Sequence, residues 1–278
     1  MQKHINTKAF YIFGLTMSLF LVAATSLSAA TLQDQFAKSA PQSTQKVDHS
    51  DFSQLLGKYI VQDKTGLNRV NYQALKTEQS GLTAYISHLE AVKVTKLAKN
   101  EQFAFWANLY NAVTLNVVLD AYPVKTIKDI DISPGIFSNG PWGKKLVTIE
   151  GTKLSLDDIE HKILRPIFQD PRVHYAVNCA SIGCPNLQNQ AFTGGKLNAQ
   201  LDQAARDYVN SSRGAVVKNG RVSASKIYSW FKKDFGPNQT TLLAHLKTYA
   251  QEPLKGQLNQ INTINRYFYD WTLNDTAK

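Results

Sequence analysis

The stretch from Glu101 to Tyr122, EQFAFWANLYNAVTLNVVLDAY, constrains this chain more than any other. Phe103, Trp106, Tyr110, Val113 and Val117 mark one apolar face at helical spacing. Phe105, Leu109, Ala112, Leu115 and Leu119 cover much of the rest, and a helix apolar nearly all round is a buried one. Pro123 stops it, because proline cannot donate a backbone hydrogen bond and clashes with the preceding turn. Asn108 and Asn111 lie inside this helix one turn apart. A buried amide left unpaired costs about 1–3 kcal/mol, so both need partners. Loop backbone and a bound ligand remain equal alternatives for that partner.

The chain has 278 residues and a formal net charge of +10. Lys3 and Lys8 precede an apolar run from Ala9 to Ala24, and Ser28 and Ala30 form a small-x-small site before Thr31. That order reads as a cleaved secretory signal over residues 1–30. Removal of its two lysines leaves +8. The expectation is therefore an exported protein, periplasmic or secreted, with weak contact to an anionic envelope surface. The basic residues are dispersed, and no nucleic-acid motif is present, so nucleic acid is not an expected partner. The remaining length suffices for one domain with its own core, residues 51–278, after a polar lead-in over 31–50.

Periodicity predicts further elements. A helix begins at Ser50-Asp51, and another from about Leu75 to Ala91 carries Leu82, Tyr85, Ile86 and Leu89 as a core-facing stripe. Residues 123–143 form a long Pro- and Gly-containing connection whose Trp142 either stacks on a ligand or pins the loop. A hairpin turns at Glu150-Gly151, and Ser155 caps a helix bearing Glu160 and His161. Later segments read as a helix over Leu197–Val209, a hairpin at Asn219-Gly220, helices near Ser225–Phe235 and Thr240–Tyr249, and a closing strand, INRYFYDWTL. The pattern is a helix-rich α+β domain with a small, mainly antiparallel sheet.

Chemistry concentrates in Arg172–Pro185, RVHYAVNCASIGCP, which holds both cysteines. Val173, Tyr175 and Val177 alternate with His174 and Ala176, predicting a strand that runs into a tight loop. On a regular strand His174 and Cys179 face opposite sides, which makes His161 the better partner for a thiol. The candidate catalytic set is thus Cys179 as nucleophile, His161 or His174 as base, and Glu160 as orienting acid, with Asp270 as a further acid. The Gly183 region is a source of backbone donors to an oxyanion. Asn108, Asn111, Tyr110 and Trp142 form the candidate substrate-binding set for a small-molecule or peptide ligand. The rival reading joins Cys179 to Cys184 in a disulfide, a small ring worth about 2 kcal/mol, and leaves a non-catalytic envelope binding or scaffolding module. No ligand pair has zinc-site spacing, and no phosphate loop or dinucleotide fingerprint occurs, so neither a metal nor a cofactor is expected.

The runs FWANLYNAV, YPVKTIKDI, LSLDDIEHKILRP, DPRVHYAVNCASIGCPNL, SKIYSWFKKDFG and YDWTLND resemble the domain of unknown function 547 family, from about Val70 to Asn274. That family lacks an established activity. The order of a buried helix, a strand bearing a histidine and then a strand bearing an acid is similar, more distantly, to papain- and transglutaminase-like layouts. In those the buried helix carries the cysteine; here Asn108 and Asn111 stand on it.

Overall fold

The computed structural model describes residues 31–135 and 139–277; the signal-like residues 1–30 lie outside them. Helix α1 (Leu32–Phe36) leads to α2 (Ser50–Tyr59), then the paired strands β1 (Ile60–Gln62) and β2 (Asn68–Val70). Next come α3 (Tyr72–Leu75), α4 (Gln79–Glu90) and α5 (Lys99–Ala121). Every residue of α5 from Glu101 to Leu115 is buried, as its all-round apolar sequence demands. It forms the axis of the larger of two hydrophobic clusters, and the α4 stripe of Leu82, Tyr85, Ile86 and Leu89 is buried against it. Each such side chain contributes about 1.5–3 kcal/mol.

Strands β3 (Val147–Ile149) and β4 (Thr152–Leu154) form the expected hairpin. Glu150 and Gly151 turn it with φ of 46° and 79°, the positive pair of a type I′ turn. Ser155 and Asp158 then cap each other reciprocally: Ser155 N donates to Asp158 Oδ2 at 2.9 Å, and Asp158 N to Ser155 Oγ at 3.2 Å. The helix that follows departs from α geometry. Asp158–Leu164 is π-helical, closed by Arg165 N donating to Glu160 O, and runs on into α6 (Arg165–Phe168). Short π segments are rare and recur at functional sites.

The predicted strand through His174 is instead a helical turn, α7 (Val173–Ala176). Asp170 and Pro171 start it: Asp170 Oδ1 accepts from Arg172 N at 2.9 Å, and Val173 N and His174 N donate to Asp170 O and Pro171 O. The period-two pattern misleads because Val173 to Val177 are all buried, so alternation does not separate an inside from an outside. None of the sheets among the described residues offers this segment an edge.

The chain then forms α8 (Leu197–Val209), β5 (Ala215–Lys218), β6 (Arg221–Ser225), α9 (Lys226–Trp230), α10 (Lys232–Phe235), α11 (Gln239–Tyr249), α12 (Leu254–Asn259) and β7 (Ile264–Phe268). The described strands fall into three small sheets, antiparallel throughout except where β7 joins β6 in parallel. The architecture is helix-rich α+β. Residues of α8 to β7 build the second cluster, which includes Tyr208, Tyr228, Phe235 and Leu246. The final residues stitch the two clusters together. Ile182 N and Gly183 N donate to Thr272 O and Asp270 O, and Val70 N to Asn274 O, each at 2.8 Å. A Cβ on Gly183 would lie 2.8 Å from Asp270 backbone atoms, so only glycine admits this approach. No helix of the described residues is long and apolar enough to cross a membrane.

Candidate functional site

A cavity of about 190 Å3 opens where the two clusters meet. Tyr110 of α5 contributes one wall, and Asp157, Glu160 and His161 of the helix after the β3–β4 hairpin contribute another. His174 and the Cys179–Cys184 loop close the third side. Chain segments far apart in sequence, Trp142, Trp230–Phe231, Tyr269 and Trp271, make the fourth.

Glu160 lies between two imidazoles. Its Oε1 is 3.8 Å from Nδ1 of both His161 and His174. The Tyr110 hydroxyl stays protonated beside it; burial, and then the Glu160 charge, push the phenol well above its usual range. His174 is 2% exposed and fully committed. Its Nε2 donates to Asp234 Oδ2 at 2.7 Å, and its ring stacks on Phe231 at 4.1 Å. Burial alone would raise the Asp234 carboxyl, but hydrogen bonds from His174 and Arg165 overcome it and hold the group well below the usual carboxylate range. His161 is the more open ring, its side chain 38% exposed. Arg165 donates to its Nδ1 at 3.2 Å, which leaves the neutral ring's proton on Nε2, 3.6 Å from Asp157 Oδ1. Burial raises the Asp157 carboxyl above its ordinary value.

The structure joins Cys179 and Cys184 in a disulfide with Cα atoms 6.3 Å apart, so the loop holds no free thiol in this state. The Tyr269 hydroxyl is 3.0 Å from Sγ of Cys179, 3.1 Å from Sγ of Cys184 and 2.9 Å from Ser181 Oγ. Burial chiefly, with the nearby Tyr208, lifts the Tyr269 phenol far above its ordinary value, so it remains a donor. Cys179 is half-buried and Cys184 is 3% exposed.

Other sequence-derived candidates lie apart from this cavity. Asn108 Nδ2 donates to Phe192 O at 2.8 Å while its Oδ1 accepts from Phe192 N at 2.9 Å. Asn111 Nδ2 donates to Ala176 O at 2.9 Å and its Oδ1 accepts from Asn178 N at 2.8 Å. Both amides therefore hold loop backbone, and neither lines the cavity. The Asp270 side chain is spent on Thr272 N. The expected backbone donors near Gly183 are also occupied: Ile182 N and Gly183 N bond the terminal segment, and Cys184 N bonds Ser181 O. Where His174 and Cys179 were expected on opposite faces of a strand, the turn and the extended residues after it bring both to the cavity. His174 on a turn and Asp234 on α10 also depart from the strand-borne pair of a papain-like layout.

Trp142 lines the cavity and packs edge-on against Trp271 at 5.9 Å. Tyr269, Trp230 and Phe231 complete an aromatic wall that sequence reasoning missed; the only sign of it was the aromatic density of SKIYSWF and RYFYDW. Asp234 was equally unmarked, a lone acid in SKIYSWFKKDF with no motif around it. Among the described residues no cluster of His, Cys, Asp and Glu is placed to hold a metal ion.

Fold and cavity together define a helix-rich α+β domain with an aromatic-walled site holding an acid–imidazole pair and a disulfide. Residues 94–209 match the family described as "Protein of unknown function, DUF547". The match includes Tyr110, Trp142, Asp157, Glu160, His161, His174 and both cysteines; Trp230, Phe231, Tyr269 and Trp271 lie beyond it. Comparison with curated proteins and with solved structures returned no match.

Proposed function

We propose that the cavity is the site of a thiol-dependent hydrolase or acyl transferase acting on an amide or ester, active once an external dithiol has reduced the Cys179–Cys184 disulfide. The observation that carries this is the opening of the sulfur pair and the Glu160–His161 pair onto one cavity. Reduction exchanges the protein disulfide for that of the dithiol and leaves two thiols. Cys179, the more accessible, loses its proton to His161 Nδ1, which exchanges its hydrogen bond from Arg165 for that proton, and attacks the carbonyl carbon. The Tyr269 hydroxyl, adjacent to Sγ, donates to the developing negative charge. Collapse expels the amine or alcohol, which takes the proton from the imidazolium; water or an acceptor amine, giving a proton to His161, then attacks the thioester carbon and expels the Cys179 thiolate. Glu160 orients the ring, while His174, held by Asp234 and Phe231, positions Glu160. The basic and then apolar order of residues 1–30 supports an exported protein working on envelope peptides or amides.

The test is turnover of a panel of p-nitrophenyl esters and peptidyl coumarin amides, with and without dithiothreitol. Activity should appear on reduction and vanish in Cys179→Ala, and His161→Ala should lower it about 10²–10⁴-fold. Equal turnover in reduced wild type and Cys179→Ala overturns the proposal, as does absence of turnover in fully reduced wild type, which leaves a structural disulfide in a binding module.

A further inference from the structure

The cavity combines two features that go beyond what the proposed chemistry at Cys179 requires of its individual residues. One is the aromatic wall. Trp230 and Tyr269 lie 4.8 Å apart, Tyr269 and Trp271 4.7 Å, and Trp230 and Trp271 5.7 Å, all inclined rather than coplanar, so the three rings meet as a corner. Trp230 is 46% exposed, a large apolar surface at the mouth with no packing reason to face water. The other is charge. The lining holds the carboxylates Asp157 and Glu160, and among the described residues that line it none is lysine or arginine, although the chain as a whole is strongly basic. The two lining imidazoles add no charge when neutral, and His174 is already committed to Asp234.

From this juxtaposition we infer that the cavity takes an organic cation, an ammonium group carried by the substrate, seated against the Trp230–Tyr269–Trp271 corner and facing Glu160 and Asp157. Aromatic faces attract cations through the negative potential of the ring, most strongly for tryptophan and where water is excluded. Trp271 already receives one such charge, the Lys128 ammonium 5.0 Å from its centroid. Desolvation that disfavours the Asp157 carboxylate in the empty cavity is relieved by a cation beside it. The volume exceeds the ~150 Å3 known to admit a benzene ring, enough for a trimethylammonium head. A neutral sugar would also stack on such rings and donate its hydroxyls to the two acids, but only a cation gains from their negative charge as well. The inference rests on the cavity being the ligand site proposed above, and not on the thiol step.

Binding is therefore read in the oxidised protein, where Cys179 cannot react, by tryptophan fluorescence and calorimetry. The probes are choline, its neutral isostere 3,3-dimethylbutan-1-ol, and an N-acetylglucosamine trisaccharide. Choline should saturate the site and bind at least about ten-fold more tightly than the isostere. Trp230→Ala, at the exposed mouth and outside the packed core, should weaken choline by a similar factor, and Glu160→Gln should weaken choline while sparing the isostere. Equal binding of the isostere, preference for the trisaccharide, or no saturable binding of choline overturns the inference. Thiol-dependent turnover of neutral and cationic esters at equal rates would overturn it too, while leaving the proposed reaction in place.

Discussion

The hydroxyl of Tyr269 stands almost equidistant from the two sulfurs of the site, 3.0 Å from Sγ of Cys179 and 3.1 Å from Sγ of Cys184. This placement comes from the end of β7, where the chain leaves the strand after Phe268 and its backbone binds Ile182 and Gly183. A donor that cannot ionise at neutral pH thus faces whichever sulfur becomes a thiolate.

Loss of that donor should be visible directly. In reduced Tyr269→Phe the ring still packs, but a hydrogen bond to charged sulfur, worth about 1.5–3 kcal/mol, is gone. The pH midpoint for alkylation of Cys179 by iodoacetamide should rise by about one unit or more. An unchanged midpoint would show that the hydroxyl does not interact with the thiolate.

Asp234 ties α10 to the buried His174 and to Arg165, whose Nε donates to Oδ2 at 2.6 Å. Asp234→Ala strands a buried imidazole and should cost about 1–3 kcal/mol. Because the folded carboxyl titrates below its unfolded value, its contribution is complete above about pH 4 and disappears as pH falls through the folded value. Urea unfolding of both proteins across this range should show the difference narrowing at acid pH.

Two other histidines make stability depend on pH on the acid side. Burial lowers the pKa of His49 to about 4 and that of His245 to about 4, and each ring bonds a buried tyrosine, Tyr85 at 2.6 Å and Tyr175 at 2.8 Å. An unfolded histidine titrates near 6.5, so the stabilisation is complete above about pH 6.5 and is lost as pH falls toward 4. The slope of unfolding free energy against pH in this window should include two protons from these sites. His49→Gln and His245→Gln should each remove one; a slope unchanged in both variants would contradict the assignment.

The amides of α5 hold backbone. Asn111→Ala strands Ala176 O and Asn178 N, and Asn108→Ala strands both backbone groups of Phe192, at about 1–3 kcal/mol for each group. The aspartate variants keep the acceptor but set a buried carboxylate oxygen against a backbone carbonyl, and should lose as much or more. Chemical denaturation ranks the four; alanine variants as stable as wild type would mean that the loops do not depend on these amides.

The central helix, the α4 stripe and both tight hairpins were legible in the sequence because each rests on local rules. All-round apolarity means burial wherever α5 ends up, and Gly151, Asn219 and Gly220 tolerate the positive φ that tight turns need. Asn108 and Asn111 announced buried polar partners, though not which ones. The segment around His174 was misread because complete burial erases the alternation that distinguishes strand from turn.

Residue chemistry, set by local composition, was enough to mark the cysteines, the Glu160–His161 pair and the buried axis. Which of these groups share a cavity was decided only by packing: Asp234 meets His174 across 60 residues, and Tyr269 meets Cys179 across 90. Such contacts form because two hydrophobic clusters close on each other, and no short-range pattern encodes which side chains then stand at their seam.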